Sequence, residues 1–190
     1  MRVIVVDDEA VIRMGLRAML EDAGHQVIGT ATNGRAAVVL AEIEKPDLIL
    51  MDIKMPEMDG LEAARLIMTK HPTPIVMLTA YSQRELIEQA KAASVFAYLV
   101  KPVKEEMVAP TLELAVMRFK QWKALRKEAE DLKSSLVARD LVEKAKRMLM
   151  EGGLSEKEAF LKIRNQSRAR RATMETTAQA ILRQKAPARK

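Results

Sequence analysis

The 190-residue chain contains no cysteine. That excludes disulfides and thiolate metal sites, and it agrees with a cytoplasmic setting. Histidine is almost as scarce. His25 and His71 both stand beside turn residues, Gly24 and Pro72, and both are expected at the surface. No apolar run approaches the roughly 18 residues that a spanning helix needs. In the opening MRVIVVDDEA, Asp7 and Asp8 interrupt a stretch already too short for a signal peptide. A membrane partner is therefore not expected. What is present suits a globular protein with a real core: 48% of residues are hydrophobic and 31% charged. The length accommodates a domain of ordinary size and a smaller module.

The net charge of +6 hides an asymmetry. Residues 1–110 hold 12 Lys and Arg against 16 Asp and Glu, a net of −4. Residues 111–190 hold 20 against 10, a net of +10. An acidic half joined to a basic half points to two modules with different partners.

The first half alternates. Short β-branched runs at 2–7, 26–31, 47–52, 74–80 and 97–101 are separated by helix-like segments, with Gly24, Asn33-Gly34, Pro46, Gly60, Pro72 and Pro74 as punctuation. Strict alternation of strand and helix predicts a doubly wound α/β fold, a five-stranded parallel sheet with helices on both faces. Sites in such sheets form at the carboxyl ends of the strands, where strand order reverses.

The second half carries no strand signal. Helix formers dominate from about Glu105 to Glu151, with Pro110 expected near the start. Trp122, Leu125, Ala129, Leu132 and Leu136 recur at spacings of three and four, the rhythm of a coiled-coil seam or of an amphipathic helix lying on its own module. Gly152-Gly153 supply a stop, Ser155 with Glu158 makes a capping box, and Thr173 is the expected N-cap of a last helix. The tail KAPARK is expected to fray.

Five chemistry-bearing positions fall at strand ends. Asp7 and Asp8 close the first strand, Asp52 the third and Lys101 the fifth, while Thr79 lies near the end of the fourth. Three carboxylates converging on one edge repel one another and invite a hard divalent cation; Mg2+ suits oxygen ligands and keeps waters beside one or two carboxylates. Three carboxylates, one Mg2+ and Lys101 sum to zero charge. An ionised aspartate is already a nucleophile at neutral pH. It needs an electrophile whose negative charge is neutralised, and Mg2+ with Lys101 would do this for a phosphoryl group. Asp52 would then become an aspartyl phosphate, and Thr79 could hydrogen-bond a phosphoryl oxygen. A Mg2+-dependent phosphatase would instead carry its nucleophile on the first strand in a D-x-D pattern.

VVDDE, DLILMDIKMPEMDG, LTA and YLVKP occur in order, and over residues 1–118 the chain resembles the receiver domain of two-component response regulators. The resemblance implies a flavodoxin-like fold with strand order 2-1-3-4-5 and a sensor histidine kinase as partner. It makes Asp52 the phosphoacceptor, with Asp8, Asp52 and the backbone carbonyl of Lys54 as Mg2+ ligands and Asp7 a ligand through water. Thr79, Tyr98 and Lys101 match the switch positions. Ser94 departs from the usual glycine before the fifth strand. Beyond accepting a phosphoryl group and slowly losing it, no enzymatic activity is implied.

Residues 139–182, with AKRMLM, LSEKEAFLKIR and a basic link before a helix ending AQAIL, resemble the ANTAR module, a small three-helix RNA-binding domain of transcription antiterminators. Family members bind paired hairpins in nascent RNA leaders. Arg147 stands where many members have glycine. The expected organisation is therefore a receiver at 1–118, a helical linker at 119–137 and a three-helix domain at 138–186. Met148, Leu149, Phe160, Ile163, Ile181 and Leu182 are expected in its core. Arg164, Arg168, Arg170 and Arg171 cluster near a helix end, with Lys146 and Arg147 on the preceding helix, and form the candidate RNA surface. DNA binding is the alternative, without an obvious recognition face for a major groove; a dimerisation or protein-docking output is another. Phosphorylation is expected to promote a homodimer through residues 111–138.

Overall fold

The computed structural model describes residues 1–80 and 95–184. Ser94 and the KAPARK tail lie outside them. Two compact units divide the chain, Met1–Lys123 and Ala124–Lys190.

The first unit is built on five parallel strands, β1 (Arg2–Val6), β2 (Gln26–Ala31), β3 (Leu48–Asp52), β4 (Ile75–Thr79) and β5 (Ala97–Val100). Their order is β2-β1-β3-β4-β5, every neighbouring pair parallel. Each strand lies within one residue of its sequence-based limits. The central strands β3 and β4 are buried at every position, as continuous apolar runs covered on both faces must be. Three helices connect strands: α1 (Ala10–Asp22), α2 (Gly34–Glu44) and α3 (Gly60–Lys70). The chain steps from β1 to β2 in one direction and from β2 past β1 to β3 in the other. Right-handed crossovers therefore place α1 on one face and α2 with α3 on the other.

Local chemistry starts α2 and α3 and stops α2 at turn residues legible in the sequence. Asn33 Oδ1 accepts the Ala36 N–H at 2.8 Å to open α2, and Asp59 Oδ1 accepts the Glu62 N–H at 2.7 Å to open α3. Lys45 turns left-handed at φ 47° to end α2 just before Pro46.

After β5 comes α4, one continuous helix from Glu105 to Glu151. Pro110 sits in its second turn, so one i→i−4 bond is lost there. Val108, Leu112 and Ala115 belong to the core of the first unit, with Val116, Phe119 and Trp122 packed against it. Trp122 is thus the end of the receiver core, not the start of a free seam: its ring lies 6.0 Å from Phe96 and 5.7 Å from Phe119. The same three-and-four stripe continues as Leu125, Leu132 and Leu136, now 67%, 63% and 58% exposed.

In the second unit the last turns of α4 pack with α5 (Glu156–Ala169) and α6 (Met174–Gln184). Ala145, Ile163, Ala178 and Ile181 form its buried centre, ringed by Leu141, Val142, Met148, Leu149, Met174 and Leu182. Gly153 at φ 98° makes the stop after α4, a conformation that costs glycine nothing. Both bonds of the Ser155–Glu158 capping box are formed. Thr173 Oγ1 accepts the Thr176 N–H at 3.1 Å, capping α6. One core expectation fails. Phe160 is 40% exposed, while α5 buries Ala159 and Ile163, one turn apart.

His25 also departs from expectation. It is half-buried, its Nδ1 enclosed without a hydrogen-bond partner among the described residues. Burial, with the N-terminal ammonium, holds the imidazole below its ordinary pKa, while Glu113 on α4 pulls the other way. His71 is exposed.

Candidate functional site

The acid end of the sheet is assembled by main-chain registration. β1 and β3 lie side by side with Val6 opposite Met51, so Asp7 and Asp52 leave the sheet as neighbours at the point where strand order reverses. Asp7 is fully buried and Asp52 nearly so, whereas Asp8 is exposed. One carboxylate oxygen from each of the three lies within 4.8 Å of the others. Lys101 follows β5 and is tied to β4 by its N–H donating to the Thr79 carbonyl at 2.8 Å. Its ammonium reaches back 2.7 Å to Asp7 Oδ2 and 3.2 Å to Asp52 Oδ1.

These contacts divide the labour among the acids. Both Asp7 oxygens are engaged by the protein, Oδ1 by the Glu9 N–H at 3.0 Å and Oδ2 by Lys101. Asp8 makes no side-chain hydrogen bond or ion pair among the described residues, and it faces a cavity of about 310 Å3 lined also by Asp52, Lys54, Thr79 and Lys101. Burial raises the Asp52 carboxyl above its ordinary pKa, opposed by Lys101. For Lys101, burial works against the ammonium, but the bond to Asp7 and the pairing with Asp52 outweigh it and the pKa rises. Among the described residues the three clustered acids share the ion-paired Lys101, a net of −2.

The donor set fits Mg2+. It is all oxygen, it leaves one unpaired exposed carboxylate and the nearly buried Asp52 lining a cavity with room for waters, and its charge deficit equals that of the ion.

Two residues that sequence reasoning passed over hold this arrangement. Arg13 on α1 donates through Nη1 to the carbonyls of Asp7 and Asp8 at 2.7 and 3.0 Å, fastening the acidic turn. Gly60 donates its N–H to the Ile53 carbonyl at 2.9 Å, and a Cβ there would overlap the Asp52 carbonyl oxygen. Only the turn signal of MDG pointed to it. Tyr98, half-buried on β5 across from Met77, has its phenol pushed up by burial.

In the second unit, Arg147, Arg168, Arg170 and Arg171 are exposed. Arg171 takes the left-handed conformation, φ 50°, at the turn between α5 and α6. Arg164 is half-buried, its Nε enclosed without a hydrogen bond among the described residues. Lys146 does not belong with these cations. It is only 9% exposed, and its ammonium sits 3.0 Å from Glu143 and 2.8 Å from Glu156, tying α4 to the start of α5. An ammonium already shared by two carboxylates has little to offer a phosphate, so Lys146 is a strut between helices.

Known proteins share both modules. Residues 3–113 match the response regulator receiver domain and residues 130–182 the ANTAR domain. The chain is 46% identical over 182 residues to the transcriptional regulatory protein PdtaR of Mycobacterium tuberculosis, covering 95% of this chain and 89% of that one. Among solved structures, it is similar to the response regulator domain of Thermotoga maritima CheB, with a TM-score of 0.55 at 34% identity over 62% of this chain and 94% of that one. It is also similar to a chain of the CheX-CheY-BeF3-Mg+2 complex of Borrelia burgdorferi, with a TM-score of 0.56 at 25% identity over 58% and 85%. No described helix is long and apolar enough to cross a membrane. The chain belongs to the two-component response regulators, and it joins a receiver domain to an ANTAR output, the RNA-binding module of transcription antiterminators.

Proposed function

We propose that phosphorylation of Asp52 by a sensor histidine kinase controls binding of hairpins in nascent RNA by the second unit. The observation that carries this reading is the placement of Asp52 between Lys101, 3.2 Å away, and a cavity flanked by Asp8 and Lys54. A carboxylate oxygen of Asp52 attacks the phosphorus of a phosphohistidine, and the imidazole leaves. Lys101 sits where it can pair with a phosphoryl oxygen, and Thr79, at the cavity wall, can donate its hydroxyl to another. Asp8, Asp52 and the Lys54 carbonyl would hold Mg2+, with Asp7 reaching it through water; bound there, the ion neutralises the carboxylates and the incoming phosphoryl charge. The similarity to a chain crystallised with BeF3 and Mg+2 supports the same use of this cavity.

The switch follows from packing. Thr79 drawn towards a phosphoryl group leaves its place beside β5, where half-buried Tyr98 can turn inward. The exposed Leu125, Leu132 and Leu136 stripe then serves a homodimer, weak at rest because it spans little more than two heptads. Arg147, Arg164, Arg168, Arg170 and Arg171 form the RNA surface. The protein acts in the cytoplasm, and its only chemistry is to gain and slowly lose the phosphoryl group.

The test is chemical. With a small phosphodonor and Mg2+, the protein acquires one acid-stable, hydroxylamine-labile phosphate, and Asp52→Asn acquires none. Normal stoichiometry on Asp52→Asn would refute the assignment. Sedimentation of both forms checks the dimer; equal association constants with and without phosphate would remove that part of the switch.

A further inference from the structure

Phe160 is the only aromatic residue beyond Trp122, and the structure leaves it outside the core of the second unit. The core closes without it, on Ile163, Ala178 and Ile181. Its ring instead forms part of the wall of an open groove of about 400 Å3, together with Arg139, Val142, Thr173, Met174 and Glu175. The ring is 40% exposed, so part of its apolar surface stays open to solvent beside a mostly apolar groove in the free protein.

The occupant can be narrowed by chemistry. The groove lies in the half of the chain with net charge +10. Arg139 lines it, and the run of exposed Arg168, Arg170 and Arg171 ends two residues before Thr173 in its wall. Glu143 and Glu175 also line it, so the groove itself does not suit a phosphate. Glu143 is committed to Lys146 at 3.0 Å, and Glu175 makes no hydrogen bond or ion pair among the described residues. An aromatic face, a guanidinium and an unpaired carboxylate within a polyanion-binding surface match one ligand: an unpaired nucleobase whose phosphates lie on the arginines. The ring and the guanidinium stack on the base faces, and the carboxylate accepts from an exocyclic amino group.

We infer that the Phe160 groove holds one unpaired base of the bound RNA and discriminates adenine, cytosine or guanine from uracil through Glu175. This inference rests on the RNA-binding reading of the second unit and adds a base-reading site to its electrostatic surface.

The experiment uses the full-length phosphorylated protein and the RNA fragment it retains most tightly from total cellular transcripts. That fragment is synthesised with each unpaired position replaced in turn by an abasic nucleotide. Phe160→Ala should weaken binding by about 5- to 150-fold, the range of one base–aromatic stack. One abasic position should weaken it by a similar factor, and the two changes together should cost no more than either alone. Phe160→Tyr should restore binding. Phe160→Leu, which keeps apolar volume and removes the ring, should bind as poorly as Phe160→Ala with an unchanged circular dichroism spectrum. Uracil at the coupled position should bind more weakly than the other bases, and Glu175→Gln should narrow that gap. The salt dependence should be the same for Phe160→Ala and wild type. The Arg168, Arg170, Arg171 triple alanine variant should flatten the log–log slope by about 2, at about 0.7 per phosphate on single strands.

If Phe160→Ala is additive with every abasic position, the groove holds no base and the inference fails alone. It also fails if Phe160→Ala binds RNA normally but loses association with a second copy or with another protein. If the wild-type protein retains no RNA above a scrambled-sequence control, the RNA-binding reading falls and the inference with it.

Discussion

Replacing Lys101 with Met tests whether this lysine holds the acid cluster together. The variant keeps the aliphatic stem and removes the ammonium that lies 2.7 Å from Asp7 and 3.2 Å from Asp52. Asp7 is fully buried, and among the described residues its carboxylate would keep the Glu9 N–H as partner. At an effective dielectric of about 20, each of those contacts is worth roughly 5 to 6 kcal/mol of gross attraction. The net penalty of breaking a buried pair is smaller, about 3 to 5 kcal/mol. A second limit applies. Taking up a proton at pH 7 costs an ordinary aspartate about 4 kcal/mol, which caps the damage. We therefore expect Lys101→Met to destabilise the metal-free receiver unit by about 3 to 4 kcal/mol at pH 7. The deficit should shrink by up to about 1.4 kcal/mol per pH unit on acidification, because carboxylates left without the ammonium bind a proton on folding more readily than in the wild type. Millimolar Mg2+ should recover part of the loss. Urea unfolding followed by the fluorescence of Trp122, the single tryptophan and part of the receiver core, reads this unit selectively. A loss below about 1 kcal/mol, independent of pH and Mg2+, would show that the cluster does not depend on Lys101.

Three further outcomes follow from the same geometry. Gly60→Ala should lower receiver stability by about 1 to 3 kcal/mol and cut phosphate uptake, since its Cβ must displace the Asp52 carbonyl; unfolding and phosphorylation stoichiometry check both. Ser155→Ala should cost the second unit about 1 kcal/mol, seen in the helical circular dichroism transition while the Trp122 transition stays in place. His25 is held below its ordinary pKa by burial, so the stability it contributes is present above about pH 6.5 and fades as the pH falls below that. His25→Asn should remove that part of the acid sensitivity.

The first unit was legible because its signals are redundant. β3 could be read from LILMD alone, and the same register that buries Leu48 to Met51 delivers Asp52 to the site. Asp7, Asp8, Thr79 and Lys101 were found by their places at strand ends, and topology then brought them together. Arg13 was not legible, since its bonds run to carbonyls that any loop presents. In the second unit the caps were readable: Ser155, Glu158 and Thr173 act within one turn of sequence. Tertiary partnership was not. Lys146 looked like one more cation of a basic surface, but it meets Glu156 only after α5 folds back on α4. Phe160 looked like core by its type. The structure buries Ala159 and Ile163, one turn apart on α5, and leaves Phe160 40% exposed, a choice between neighbouring positions that residue type does not make. Trp122 extended an apparent seam, yet the Phe96 and Phe119 rings claim it.

Control of RNA binding by the state of Asp52 is read by recovering bound transcripts from one extract with three proteins: unphosphorylated wild type, phosphorylated wild type, and Asp52→Asn treated with the same phosphodonor. Phosphorylated wild type should retain a discrete set of hairpin-bearing leaders, and the other two should retain the same set more weakly and equally to each other. Identical recovery and affinity for all three proteins, or preferential recovery of double-stranded DNA in competition, would show that Asp52 does not govern RNA binding.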